Sequence, residues 1–209
     1  MGANEDESKV TRDLMKGVHL RCDADCVHLR FATPLQVLSS AVYNGGLTVA
    51  TDYINLRVPK VDNGCVADPQ DSLQRVAEAL ACQGRAVGMM TAASIRSMAV
   101  ETLAIEHEQV AVVVTSGLDN ARRAGDRAEL RCLHQPLTER GTINTAIVTS
   151  AQLEPQAMVE VLAVAVEAKV ALLHELAIRS PISGGLATGT GTDAIAVFSH
   201  SSGQTVRFA

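Results

Sequence analysis

The sequence predicts an α/β domain of the α+β type: a layered fold with a mixed, largely antiparallel sheet and one long C-terminal helix. Three observations predict it. Apolar and polar residues alternate through much of the first third, as in VHLRCDADCVHLRF over residues 18–31, which is the period of a half-buried strand. Strand candidates outnumber helix candidates along the chain, and several neighbours look antiparallel, which favours layers over a doubly wound parallel fold. Pro155 then opens a helical segment that runs to about Ile178, Pro being suited to the first helical turn.

The elements follow in order. Residues 1–13, MGANEDESKVTRD, read as a flexible N-terminal arm ahead of a single domain over 14–209. Strands are expected over 18–31, continuing through 36–42, and over 47–58. The YNGGL turn separates the last two, because Asn-Gly and Gly-Gly accept positive φ. Asp68-Pro69 opens a helix that runs to about Cys82 and stops near Gly84. Residues 86–91, 98–105, 109–115, 143–149 and 194–199 are further strands. The segment SGLDNARRAGD is a loop or helical turn.

Composition excludes several functions. The 209 residues suit one domain, large enough to bury roughly 70% of its unfolded surface. Apolar residues are 47% and aromatics only 2%, with no Trp, so the core is expected to be aliphatic. Few aromatics argue against base-stacking platforms, and a net charge of −5 argues against a nucleic-acid partner. No stretch reaches the roughly 18–20 apolar residues of a membrane span, and the polar start lacks the regions of a signal peptide. A cytoplasmic protein is expected. Five cysteines, odd in number and irregular in spacing, do not make a disulfide framework. Cys22, Cys26 and His28 share one face of the expected strand, but no second ligand pair completes a zinc site.

Near the C-terminus the chain reads SGGLATGTGTDAIAV. The run from Gly189 to Ala194 fits a dinucleotide pattern, G-x-G-x-x-A. Its context is reversed: that fingerprint follows a strand and opens a helix, whereas here a helix precedes and a strand follows. Gly184, Gly185, Gly189 and Gly191 still allow close approach of a ligand, and loop N–H groups can hold an oxyanion. Thr188, Thr190 and Thr192 add hydroxyls and Asp193 a carboxylate. The plainer alternative is a flexible turn before an edge strand.

The preceding helix carries a second clue. At about 100° per residue, Gln156, Glu160, Glu167 and His174 share a stripe, with Glu175 beside it. Met158, Leu162, Ala165, Leu172, Leu173 and Leu176 collect on the opposite side, and Lys169 stands among them. An ammonium there must snorkel, find an anion or lose its proton. Asp193 is the nearest candidate anion in sequence. His107 lies in an exposed turn and His134 in a loop before Pro136. No G-x-S-x-G elbow supports a hydrolase triad. Asn120 and Asn144 stand near strand ends, where a side-chain amide suits either a substrate amide or an Asx turn.

The blocks LSSAVYNGGL, VGMMTAAS, VVVTSGLDNARRAGD, GTINTAIVTS and VEAKVALLHELAIRSPISGGLATGTGTDAIAV together resemble the adenosylcobinamide amidohydrolase family. They occur in that family's order and cover most of residues 35–198. The most specific is the last: E-A-K (Glu167, Ala168, Lys169) on a long helix, then A-T-G-T-G-T-D and a strand.

The resemblance implies hydrolysis of the amide joining the aminopropanol arm to the corrin ring of adenosylcobinamide. The product is adenosylcobyric acid, for corrinoid salvage or remodelling. Cobalt belongs to the substrate, so no protein cofactor or metal is implied. The expected partner is that small molecule, with no nucleic acid and no membrane, and a homo-oligomer is compatible. The resemblance carries over no catalytic residues, so roles rest on local chemistry. Asp193 is expected to act as base on water or on Thr190 or Thr192. Lys169 would position Asp193 or protonate the leaving amine. Gly189 and Gly191 would present N–H groups to the oxyanion. Asn120 and Asn144 would hold peripheral corrin amides, and Glu167 belongs to the expected substrate-binding set although it lies roughly opposite Lys169. A corrin needs a wide cleft with small walls. The alternatives are a non-catalytic corrinoid-binding protein, an amidase of another substrate, and a nucleotide-binding module.

Overall fold

The computed structural model describes residues 10–58, 68–127 and 141–208. In chain order the elements are strands β1 (Val10–Met15), β2 (Val18–Cys22), β3 (Cys26–Ser39) and β4 (Gly46–Arg57), helix α1 (Pro69–Ala79), strand β5 (Ala86–Thr91), a 3-10 turn (Ile95–Ser97), strands β6 (Ala99–Ile105), β7 (Glu108–Ser116), β8 (Ile143–Thr149) and β9 (Gln152–Leu153), helix α2 (Pro155–Glu175), and strands β10 (Ala194–Ser199) and β11 (Thr205–Val206).

Nine strands form one sheet in the order β1-β2-β3-β10-β8-β7-β6, with β4 paired to β3 and β5 to β4. Most pairings are antiparallel; β10 with β8 and β4 with β5 are parallel. The α+β layered architecture expected from the sequence is the one observed. β9 and β11 form a small second ladder.

The sheet turns on β3. Along one edge β3 pairs with β2 over its first half and with β10 over its second. Along the other it pairs with β4, but Arg30 faces Asp52 and Leu35 faces Ala50, so residues 31–34 stand opposite Thr51 alone. Such a bulge bends a strand. Pro34, which has no N–H to give a ladder, is tolerated there.

The bend curls the sheet around its own core. Leu20, Leu29, Phe31, Val37, Tyr53, Met89, Val113, Val148 and Phe198, from β2 to β10, are buried in one cluster. The expectation of a purely aliphatic core needs amending. Phe31 and Tyr53 both pack on Phe198, at centroid distances of 5.0 and 5.7 Å, so scarce aromatics are concentrated at the centre.

The helices cover the outer faces. Asp68 caps α1 by accepting from Gln70 N, and Leu73 packs α1 onto Ile54 and Ala86. α2 lays Ala157, Met158, Val161 and Leu162 against Val197 and Ile147. Alternation therefore puts Ala146 and Val148 of β8 on the inner face and Ile147 on the face toward α2.

Four sequence expectations shift. The 18–31 strand is broken at residues 23–25, where the Asp23 carboxylate accepts from the N–H groups of Asp25 and Cys26, a turn that competes with the ladder. Cys22 and Cys26 consequently sit on different strands. Residues 10–13, assigned to the arm, belong to β1, hydrogen-bonded to β2; residues 1–9 lie outside the described part. Leu172 and Leu176 of α2 are exposed, because the helix is apolar around most of its girth and only one side meets the sheet. His134 falls outside the described residues. No described helix is long and apolar enough to cross a membrane.

Candidate active site

The C-terminal ends of β4 and β5 and the N-terminal ends of β8 and β10 meet at one end of the molecule, and polar side chains gather there. Three chain segments build the first cluster. α2 supplies Lys169, the glycine-rich segment after it supplies residues 189–193, and the start of β8 supplies Thr142 and Ile143.

Lys169 Nζ donates to Asp193 Oδ2 at 2.6 Å. The two side chains are 16% and 11% exposed, so the pair is largely sheltered from the solvent that weakens surface ion pairs. Asp193 accepts three further bonds. Ile143 N donates to Oδ1 at 3.0 Å, Thr190 N to Oδ2 at 3.2 Å, and the Thr190 hydroxyl to Oδ1. Four donors fill the roughly four lone-pair sites of a carboxylate; the 3.2 Å contact is the longest. Lys169 is in the opposite condition. One of its three N–H groups is used, and the other two meet no described acceptor.

Gly189 makes the pair possible. A Cβ at this position would fall 2.4 Å from Asp193 Oδ2 and 3.3 Å from Lys169 Nζ, so the backbone passes where a side chain cannot. The loop is fastened from the other side. Arg122 N donates to Gly189 O, and Arg122 O accepts from Thr188 N and Gly189 N. The Thr188 hydroxyl accepts from Ala124 N. SGLDNARRAGD and the glycine tail, far apart in sequence, are thus one docked unit.

These bonds sort the expected oxyanion donors. The N–H groups of Gly189 and Thr190 are already used. Those of Gly191 and Thr192 donate to no described residue. The two threonines also part company. Thr190 touches Asp193 but is fully buried. Thr192 is exposed, but its hydroxyl donates to Gly141 O at 3.0 Å and accepts from Thr142. Neither combines access with contact to Asp193.

The second cluster lies at the same end but on the inner face. Asn144 Nδ2 donates to Met90 O and to Asn55 Oδ1, each at 2.9 Å. Asn55 Nδ2 donates to the Thr115 hydroxyl at 2.8 Å. Asn120 is 1% exposed, and neither polar atom of its side chain has a partner among the described residues; Asn144 Oδ1 has none there either. A Cβ at Gly141 would lie 2.9 Å from Asn120 N, which places the Asn120 loop against the lead-in to β8. Asn55 and Thr115 escaped the sequence reading. The available signal was Asn55 itself, a poor strand former inside the apolar run Tyr53-Ile54-Asn55-Leu56. Glu167 is exposed on the far side of α2 from Lys169 and joins neither cluster.

A third cluster offers metal-type ligands. His28, Asp52 and Cys82 present ligand atoms within 4.8 Å of one another, the one such group among the described residues. A cation there would have to compete with the groups already present. The Arg30 guanidinium already lies 3.2 Å from Asp52, and burial pushes the Cys82 thiol up to about 11, whereas a metal needs the thiolate. Burial also pushes the Cys26 thiol to about 12.

Comparison with known proteins now adds to this geometry. The sequence model of the family described as adenosylcobinamide amidohydrolase (CbiZ) matches residues 11–209. The chain belongs to that family. No curated protein matches it. Membership makes the chain an amidohydrolase of corrinoid salvage, and the match takes in both polar clusters and all the strands except the first residue of β1. The E-A-K and T-G-T-D segments of this chain are the ones that meet at Gly189.

Proposed function

We propose that this chain hydrolyses the amide linking the aminopropanol arm to the corrin ring of adenosylcobinamide, releasing adenosylcobyric acid and aminopropanol. The observation that carries the proposal is the Lys169–Asp193 pair, packed against bare backbone at Gly189, with two ammonium N–H groups and the Gly191 and Thr192 N–H groups unused among the described residues.

Amide hydrolysis develops negative charge on the carbonyl oxygen and needs a proton on the leaving nitrogen. In this reading the Lys169 ammonium and the N–H groups of Gly191 and Thr192 face that oxygen. Water is the nucleophile, since neither threonine is both reachable and bonded to Asp193. Its oxygen bonds to the carbonyl carbon and its proton passes to Asp193 Oδ2, displacing the long contact from Thr190 N. The C–N bond then breaks as the amine takes a proton from Lys169 or through Asp193. Thr190 and Ile143 N hold the carboxylate in place. The corrin disc lies across the ends of β8 and β10, with its peripheral amides toward Asn120 and Asn144. A cytoplasmic setting goes with a salvage reaction.

Incubation with adenosylcobinamide followed by mass analysis tests the reaction. Release of aminopropanol is expected. Tight binding without release would replace the enzyme with a corrinoid-binding protein.

A further inference from the structure

The inner-face cluster has a direction. Met90 O is a backbone carbonyl and can only accept, so the Asn144 atom facing it must be Nδ2. Nδ2 donates its other hydrogen to Asn55 Oδ1, which leaves Asn55 Nδ2 to donate to Thr115. Every donor of Asn144 is therefore used, and its Oδ1 is left as a fixed acceptor without a partner. Asn120 adds an unpartnered carbonyl oxygen and an unpartnered NH2 group. Buried polar atoms rarely stay unsatisfied in a native protein, and each one calls for an explanation.

We propose that these atoms form a subsite for one primary carboxamide of the substrate, with Asn55 and Thr115 as its positioning residues. The inference rests on the corrinoid reading above and sharpens it. A CONH2 group has one acceptor and two donors. Its oxygen takes a hydrogen from Asn120 Nδ2, and its two N–H groups reach Asn120 Oδ1 and Asn144 Oδ1. A carboxylate of the same shape has no donor and sets negative charge against two carbonyl oxygens, so the subsite rejects it. Sites built to receive a hydrogen-bond donor discriminate strongly against analogues that lack it, because buried groups are then left unpaired. Both asparagines are 1% exposed and their unpartnered atoms are closed to solvent, so the loop that carries Asn120 must draw back as the carboxamide enters.

The test compares adenosylcobinamide with analogues in which one peripheral carboxamide is a carboxylate. Equilibrium dialysis measures binding, and mass analysis measures turnover. At least one monocarboxylate should bind wild type about tenfold more weakly or worse. Asn120→Leu should erase most of that preference. Thr115→Val, which keeps the strand-forming shape, should lower it about threefold, and Thr115→Ser should restore it. Equal binding of every monocarboxylate to wild type would overturn the proposal. So would a preference unchanged in folded Thr115→Val and Asn120→Leu. If Asn120→Leu fails to fold, the Val and Ser pair decides. Preference without hydrolysis would sink the proposed reaction and keep the subsite; hydrolysis without preference would do the reverse; failure to bind adenosylcobinamide at all would sink both.

Discussion

Asp52 lies on β4 beneath His28, Thr51 and Arg30; Asp193 lies just before β10 beneath Lys169, Thr190 and Ile143 N. Both are sheltered carboxylates beside a cation, and the difference is in what else the cation meets. Arg30 gives Nε to Asp52 and an Nη2 hydrogen each to Leu80 O and Ala81 O, which ties β3 and β4 to the end of α1. Its surroundings are regular strand and helix, and its geometry is closed. Among the described residues Lys169 gives one hydrogen and keeps two, near the Gly191 and Thr192 N–H groups, which are also unused. A closed ion pair, whose cation is tied to the carbonyls at a helix end, holds a fold together, whereas one whose cation stands over unused loop N–H groups can stabilise charge that appears during a reaction.

Removing the reserve should have the largest effect. Lys169→Met is expected to lower kcat by about 100-fold or more, measured as aminopropanol release by protein shown to be folded. Turnover intact would remove the ammonium from the chemistry. Gly189→Ala pushes a methyl into the pair and should cost about 10- to 100-fold, in line with the sensitivity of catalysis to displacements near 1 Å. Stability of that variant should fall by about 1–3 kcal/mol. An alanine variant with wild-type kinetics would show that the contact between Lys169 and Asp193 is not needed.

The closed pair should answer in stability instead. Asp52→Ala leaves His28, Thr51 and Arg30 without their acceptor and should cost about 1–3 kcal/mol in denaturant unfolding, with turnover per folded molecule little changed. A smaller effect appears with pH. Burial alone would raise the Asp52 carboxyl; hydrogen bonds from His28, Thr51 and Arg30 outweigh it and hold the carboxyl below its ordinary value. A depressed folded value stabilises above the unfolded pKa, about 3.9, and that contribution is lost as pH falls through the folded value. Acid unfolding should therefore move to higher pH in Asp52→Asn. At the alkaline end the sign reverses. Cys26, raised to about 12, and Cys82, raised to about 11, favour the fold while protonated, so stability should fall from about pH 9 upward. Cys26→Ala should flatten that decline. Glu167→Gln should change kcat/KM by less than about twofold, as expected for an exposed surface position.

The sequence made the Lys169 and Asp193 end of the comparison legible and left the other ends obscure. A cation on an apolar helix side, a glycine run and an acid before a strand are local signals, readable within 25 residues, and the residues between them force a return. The second strand face was out of reach for a different reason. Thr115 and Asn144 face each other across β7 and β8, but Asn55 reaches them from β4, which is no neighbour of either strand in the sheet. No periodicity reports that. β1 went unread because its first four residues are exposed and carry no alternation, so its evidence is backbone pairing with β2. The exposure of Leu172 and Leu176 was hidden by a helix apolar on more than one side, where pattern alone cannot say which side meets the sheet.

The most direct test sets the two aspartates against each other: aminopropanol release from adenosylcobinamide by Asp193→Asn and Asp52→Asn, each normalised to folded protein. The account predicts a loss of about 100-fold or more for Asp193→Asn and less than about threefold for Asp52→Asn. Equal rates in the two variants, or a larger loss at Asp52, would contradict it.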